Sequence, residues 1–200
     1  MNRRMLVLAL LLACRSAEKP VEMRGWTVGS PMAKPNIVLT STDGTTFDLR
    51  KETAGKVTLV FFGYTTCPDV CPVHLANVAG ALKRVDPKDR ARVRVVFVTT
   101  DPARDTLSAL RNWLDNFDRS FIGLWVPDDQ IRRAERALGL PPAIKEKTED
   151  GSLGGYGIGH AAQIIAFTPD DTARFAYPAG VTQDDWAHDI PLLVNRKWSK

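Results

Sequence analysis

Two cysteines, Cys67 and Cys71, stand four residues apart with a proline after each. Thiols at that spacing can close a disulfide or hold a soft metal ion, and Cu(I) is the typical soft guest. Lone cysteines usually serve as small core hydrophobes, but two of them flanking Pro68-Asp69-Val70 fit that role poorly. As a structural staple the pair would close only a tiny loop, and loop-closure stabilisation shrinks with loop length. Three histidines, His74, His160 and His188, could supply a nitrogen beside the sulfurs. His74 follows Cys71 by three residues, so one helix face could present Cys67, Cys71 and His74 together. Otherwise it reads as a helix-surface residue. His160 follows a glycine-rich stretch that could carry it onto the thiols, and His188 reads as a solvated helix residue.

The elements that must position the thiols flank them directly. Val57 to Phe62 is a continuous apolar run ending at Gly63, as expected of a buried strand. After Pro72 the apolar residues Leu75, Val78, Ala79, Leu82 and Val85 recur at helical spacing. The pattern predicts a strand, a tight loop carrying both cysteines, and a helix that begins inside the loop. Pro68 and Pro72 suit a first helical turn, where a missing N–H costs nothing. A thiol at a helix N-terminus has its pKa lowered, because the helix dipole favours the thiolate. Helical spacing also places the two Cα atoms about 6 Å apart, within the span of a disulfide. The geometry therefore permits both chemistries. Asp69, between the thiols, either tunes the charge of the site or complements the helix N-terminus. Asp105 and Thr106 read as caps of the next helix, and Asp101 ends a strand near the same rim.

The chain has 200 residues, 44% of them hydrophobic, enough for one domain with a sizeable core. Its formal charge of +4 includes Arg3 and Arg4. These arginines precede a short apolar run, Met5 to Leu12, that ends Leu-Leu-Ala-Cys at Cys14. Residues 1–13 read as a lipoprotein-type signal peptide, with lipid expected on Cys14. Acyl chains there would hold the protein on a membrane surface facing the periplasm or cell exterior. The remaining basic residues are scattered without a stripe or aromatic interleaving, which argues against nucleic acid as a partner. Only Cys67 and Cys71 remain for the domain, too few for a disulfide scaffold.

Residues 14–35 are polar and contain Pro20, Pro31 and Pro35, and read as a membrane tether. Residues 36–200 read as the domain. Ile37 to Leu39 and Thr46 to Leu49, joined through Asp43-Gly44, predict a hairpin. Val93 to Val98 and Phe121 to Val126 predict further strands. Leu107 to Phe117 and Ile131 to Leu138 predict helices, the second ended by Gly139 and Pro141. Residues 143–159 carry Gly151, Gly154, Gly155, Gly157 and Gly159 and read as a mobile loop ahead of His160. Ala161 to Phe167 and Ala173 to Tyr177 predict two strands, and Trp186 to Val194 a terminal helix. Alternating strands and helices imply an α/β fold, a central mixed sheet flanked by helices with an added N-terminal hairpin. Thiols on the first strand–helix loop suggest a thioredoxin-like arrangement.

The run Phe62 to Pro72 resembles the signature of the Sco/SenC family, as do Thr100 to Thr106, Asn116-Phe117-Asp118 and Phe121 to Leu124. The resemblance spans residues 36 to about 195. It implies a thioredoxin-like fold and copper, Cu(I) or Cu(II), held by Cys67, Cys71 and His160. It also implies delivery of copper to the dinuclear centre of cytochrome c oxidase. The expected partners are the copper-receiving oxidase subunit, other copper chaperones and thiol reductases. That family commonly has Asp before the histidine, where this chain has Gly159, so a carboxylate that would orient the imidazole is missing. The alternative function is a thiol–disulfide oxidoreductase built on the redox-active pair Cys67 and Cys71. Two features weigh against it. Thioredoxin-like reductases use two intervening residues and a proline before the facing strand; here three residues intervene and no proline lies between Pro142 and Pro169. A peroxiredoxin would want Thr where Tyr64 stands.

Overall fold

The computed structural model describes residues 22–149 and 151–198. Its strands are β1 (Trp26–Ala33), β2 (Val38–Ser41), β3 (Thr46–Asp48), β4 (Val57–Gly63), β5 (Val93–Thr99), β6 (Ile122–Trp125), β7 (Ile144–Lys147), β8 (Tyr156–Gly159), β9 (Ile164–Phe167) and β10 (Thr172–Tyr177). Its α-helices are α1 (Leu49–Glu52), α2 (Val70–Leu82), α3 (Pro87–Arg90), α4 (Leu107–Asp115), α5 (Asp128–Ala137) and α6 (Gln183–Asn195).

Eight strands form one mixed sheet in the order β1-β10-β9-β4-β5-β6-β2-β3. β4, β5 and β6 run parallel, and β9 runs antiparallel against β4. Every residue of β4 is buried, because the strand is central and covered on both faces. Its alternate side chains point to opposite faces. Val57, Leu59 and Phe61 pack with Leu75 and Val78 of α2, Leu110 of α4 and Trp186 and Ile190 of α6. Val60 and Phe62 pack with Leu49, Ile131 and Ala134 on the other face. Each such side chain, fully buried, contributes about 1.5–3 kcal/mol. The sheet with helices on both faces, with thiols at the β4–α2 junction and a terminal hairpin and helix, is the thioredoxin-like arrangement the sequence predicts. The predicted N-terminal hairpin is present as β2–β3 and extends the main sheet through pairing of β2 with β6.

Two regions depart from expectation. The tether predicted over 14–35 overlaps β1, which pairs antiparallel with β10 (Trp26 opposite Ala176, Ala33 opposite Thr172). Long-range polar contacts hold this segment down. The Asp189 carboxylate accepts from Arg24 N at 2.8 Å, Gly25 N at 3.0 Å and Tyr177 Oη at 2.8 Å. The Lys34 ammonium is fully buried and donates to Thr53 Oγ1 at 2.9 Å, Thr58 Oγ1 at 3.0 Å and Asp171 Oδ1 at 2.7 Å. The second region is 143–159, read as a mobile loop. It forms an antiparallel pair, β7 with β8, closed by a 3₁₀ turn over Ser152–Gly155. Cys14 and residues 1–13 lie outside the described residues. Among the described residues no helix is long and apolar enough to cross a membrane.

Candidate metal centre

β4 ends at Gly63, and the loop that follows places Cys67 two residues before Asp69, the first flanking residue of α2. Cys67 is therefore not helical, contrary to the one-face argument; its N–H donates to the Tyr64 carbonyl at 3.2 Å in the turn. Cys71 is the second residue of α2 and is fully buried, whereas Cys67 is partly exposed. The Asp69 side chain makes no capping bond, so its contribution at this helix end is charge alone. Pro72 falls within the first turn, as expected, whereas Pro68 lies before the helix begins.

Clearance and a buried carboxylate shape the loop. A Cβ on Gly63 would sit 2.6 Å from Cys71 Sγ and 3.0 Å from the Phe97 ring, so only glycine lets the sulfur pack against the strand end. The Asp105 carboxylate is buried and accepts from Thr65 N at 3.1 Å, Thr65 Oγ1 at 2.5 Å and Thr99 Oγ1 at 2.6 Å. Burial raises its pKa against those bonds. Asp105 thus braces the thiol loop, and the helix-cap role expected of it falls to Thr106, whose hydroxyl accepts from Ala109 N at 3.2 Å.

His160 follows β8 and reaches the thiols from the opposite side. Its Nε2 lies 3.5 Å from Cys71 Sγ, and the two sulfurs and this ring offer ligand atoms all within 4.8 Å of one another. Nδ1 lies 3.0 Å from the Ala161 carbonyl. A carbonyl only accepts, so Nδ1 carries the proton and the Nε2 lone pair faces the sulfurs. The carboxylate missing at Gly159 is thus replaced by a main-chain acceptor. Phe61 and Tyr64 flank the ring at centroid distances of 5.8 Å.

The two thiols share a proton unequally. The Cys67 thiol is held far below the usual thiol range, to about 3, chiefly by a hydrogen bond from Cys71 and against burial. The N–H groups of Asp69 and Cys71 help. The Cys71 thiol is pushed up by that same bond and by burial. Cys67 therefore ionises first. A thiolate, a second thiol beside it and an imidazole lone pair make a donor set for a soft ion rather than a hard one.

The other histidines stand apart. His74 is 2% exposed, which corrects the reading of a surface residue. Its Nε2 lies 2.8 Å from the Ala162 carbonyl and so carries a proton toward it, and burial lowers its pKa. His188 Nδ1 contacts Asp189 Oδ1 at 2.7 Å on α6. Among the described residues, the cluster able to hold a metal ion is Cys67, Cys71 and His160. The roles of Gly63 and Asp105 were not readable from the sequence, although both lie in segments that carry the family resemblance.

Comparison with known proteins bears on the family and the fold. The chain matches the family model described as SCO1/SenC over residues 30–195. A Stutzerimonas stutzeri relative, named for copper binding, is 31% identical over 143 residues, which cover 72% of this chain and 68% of its own length. The structure of Bradyrhizobium japonicum ScoI with copper bound superposes with a TM-score of 0.68 at 31% identity, covering 83% of this chain and 99% of that one. Solution structures of apo Sco1 from Thermus thermophilus superpose with a TM-score of 0.74 at 28% identity, covering 86% and 97%. Mitochondrial relatives are longer; the match spans 44% of the yeast protein SCO1. With a family model matched over most of its length, this chain belongs to the SCO1/SenC family.

Proposed function

We propose that this protein is a copper carrier that binds one ion through Cys67 Sγ, Cys71 Sγ and His160 Nε2 and passes it to the dinuclear copper centre of cytochrome c oxidase. The observation that carries the reading is the convergence of these three donor atoms within 4.8 Å. Three soft or borderline donors suit three-coordinate Cu(I), and the imidazole also accommodates Cu(II). Two thiolates with Cu(I) leave one net negative charge, which the N-terminus of α2 favours. Cys67, partly exposed and already ionised, is the ligand a receiving thiol or imidazole would meet first. Cys71 and His160 hold the ion from behind. Copper is thus cargo, and the acceptor is a protein site with competing soft ligands.

In this reading the protein is exported and held on a membrane by lipid on Cys14, facing the periplasm or cell exterior, where the oxidase site is assembled. The sequence Leu-Leu-Ala-Cys supports this. Mass spectrometry of the protein expressed with its leader is expected to show acyl mass on a mature chain beginning at Cys14. A mature, unmodified N-terminus elsewhere would overturn the anchor without touching the copper reading.

A second reading, thiol–disulfide exchange with partner cysteines, has its own support in the depressed pKa of Cys67 beside a second free thiol. One titration separates the two. The reduced protein, titrated with Cu(I) against a chelator of known affinity, is expected to bind one ion per chain. The Cys67→Ala/Cys71→Ala double variant is expected to lose that site. Equal affinities for the two proteins would sink the copper reading and leave exchange.

A further inference from the structure

The turn from Asp101 to Asp105 touches both halves of the site. Asp105 braces the thiol loop through Thr65. Two residues of the same turn, Asp101 and Arg104, reach the other way, to the hairpin that leads into His160. Arg104 Nε pairs with Asp101 Oδ2, Arg104 Nη1 donates to the Tyr156 carbonyl at 3.0 Å, and the guanidinium lies 3.8 Å over the Tyr156 ring. The Tyr156 hydroxyl donates to Asp101 Oδ1 at 2.9 Å and closes the circuit. Asp101 is fully buried, so its charge depends on Arg104 for compensation.

The hairpin needs such a tie. β8 pairs with β7 in a two-stranded sheet apart from the eight-stranded one, so the ladder of the main sheet does not set where β8 lies. β8 is four residues of extended chain, and His160 is the next residue. At about 3.3 Å per residue, Tyr156 sits roughly 13 Å from His160 along the strand. Tyr156 and Ile158 share one face, and His160 continues that phase. Ile158 is buried, Tyr156 is gripped by Arg104, and His160 reaches Cys71. A planar guanidinium holding a carboxylate, a carbonyl and a ring at once constrains position and angle as a lysine cannot.

We propose that Arg104, Asp101 and Tyr156 form a latch that positions His160 over the thiols. Arg104 is a positioning residue that acts through the imidazole and touches no copper. The inference rests on the copper reading above. With the latch opened, the thiolates remain in place and the nitrogen ligand is held loosely. Cu(II), which depends on nitrogen donation, then suffers more than Cu(I).

The test measures Cu(II) affinity by competition and the thiolate-to-Cu(II) absorption band, with thermal melting of the copper-free protein alongside. Arg104→Ala and Tyr156→Phe are made alone and in a His160→Ala background. Arg104→Ala is expected to lower Cu(II) affinity about tenfold or more, as loss of an outer-shell partner does, and to move the band toward that of His160→Ala. Tyr156→Phe, which keeps the ring and drops the hydroxyl, moves both in the same direction by less. In the His160→Ala background neither substitution is expected to change copper binding further, because coupled sites are non-additive. Equal losses in both backgrounds would show an effect of charge or general folding and overturn the latch, as would an unchanged band in folded Arg104→Ala. If Arg104→Ala does not fold, an unchanged Tyr156→Phe overturns it in the same way. A parent protein that binds no copper removes the copper reading and the latch together, whereas a copper-binding parent with unaltered variants removes the latch alone.

Discussion

The Phe61 ring touches two imidazoles, His74 at 5.2 Å and His160 at 5.8 Å, and their surroundings give them different work. The His160 proton is committed to a carbonyl on Nδ1, which frees Nε2 for the sulfurs. The His74 proton is committed on Nε2 to Ala162, which joins α2 to the chain just past His160. His74→Ala is expected to cost about 2–4 kcal/mol, from a core cavity and an orphaned carbonyl, yet keep the thiolate-to-copper absorption. Urea unfolding and an absorption spectrum check both halves; loss of the band in a folded variant would contradict the assignment. Burial lowers the His74 pKa, so the unfolded chain binds a proton there at higher pH than the native one. Stability should therefore fall as pH drops below about 6.5, and His74→Ala should flatten that fall. The burial of His74 was legible in principle. Residues 71, 74, 75 and 78 occupy the i, i+3, i+4, i+7 stripe that packs inward. The clearance at Gly63 was not legible, because it depends on where the Cys71 sulfur lies once α2 has docked.

At the scale of elements, strong periodicity translated directly. The fully apolar run of β4 and the helical spacing of α2 predicted the strand–thiol–helix unit, and Asp43-Gly44 predicted the β2–β3 turn, where Gly44 has φ +84°. β1 has no signal in the sequence, because most of its residues are exposed and it carries no burial alternation. What holds it is backbone pairing and two buried charges, Lys34 and Asp189, whose partners lie as far as 165 residues away. Such contacts leave no local signature. In the sequence, the glycines of the β7–β8 hairpin suggest a mobile loop. Gly151, Gly154 and Gly155 instead adopt positive φ and turn the chain. The departure of Cys67 from the helix has a similar cause. Spacing of four permits a helical face, but the turn from Tyr64 to Cys67 ends before α2 begins, and the sulfurs converge from loop and helix. The fold brings together the three side chains that the sequence singles out, and their means of assembly emerges only from the fold.

The whole molecule presents its donors at the rim where β4 and β5, which run parallel, end, a common place for a site in a sheet of this kind. The thiol loop leaves β4, the Asp101–Asp105 turn leaves β5, and the histidine arrives from the β7–β8 hairpin. Three chain segments far apart in sequence make one ligand set. The central claim is that this set is two sulfurs and the nitrogen of His160. X-ray absorption at the copper edge, on the reduced protein loaded with one equivalent of Cu(I), tests it most directly. Two sulfur scatterers and one nitrogen scatterer are expected, with the nitrogen lost in His160→Ala and retained in His74→Ala. A nitrogen that survives His160→Ala and disappears in His74→Ala, or a shell without sulfur, would contradict the account.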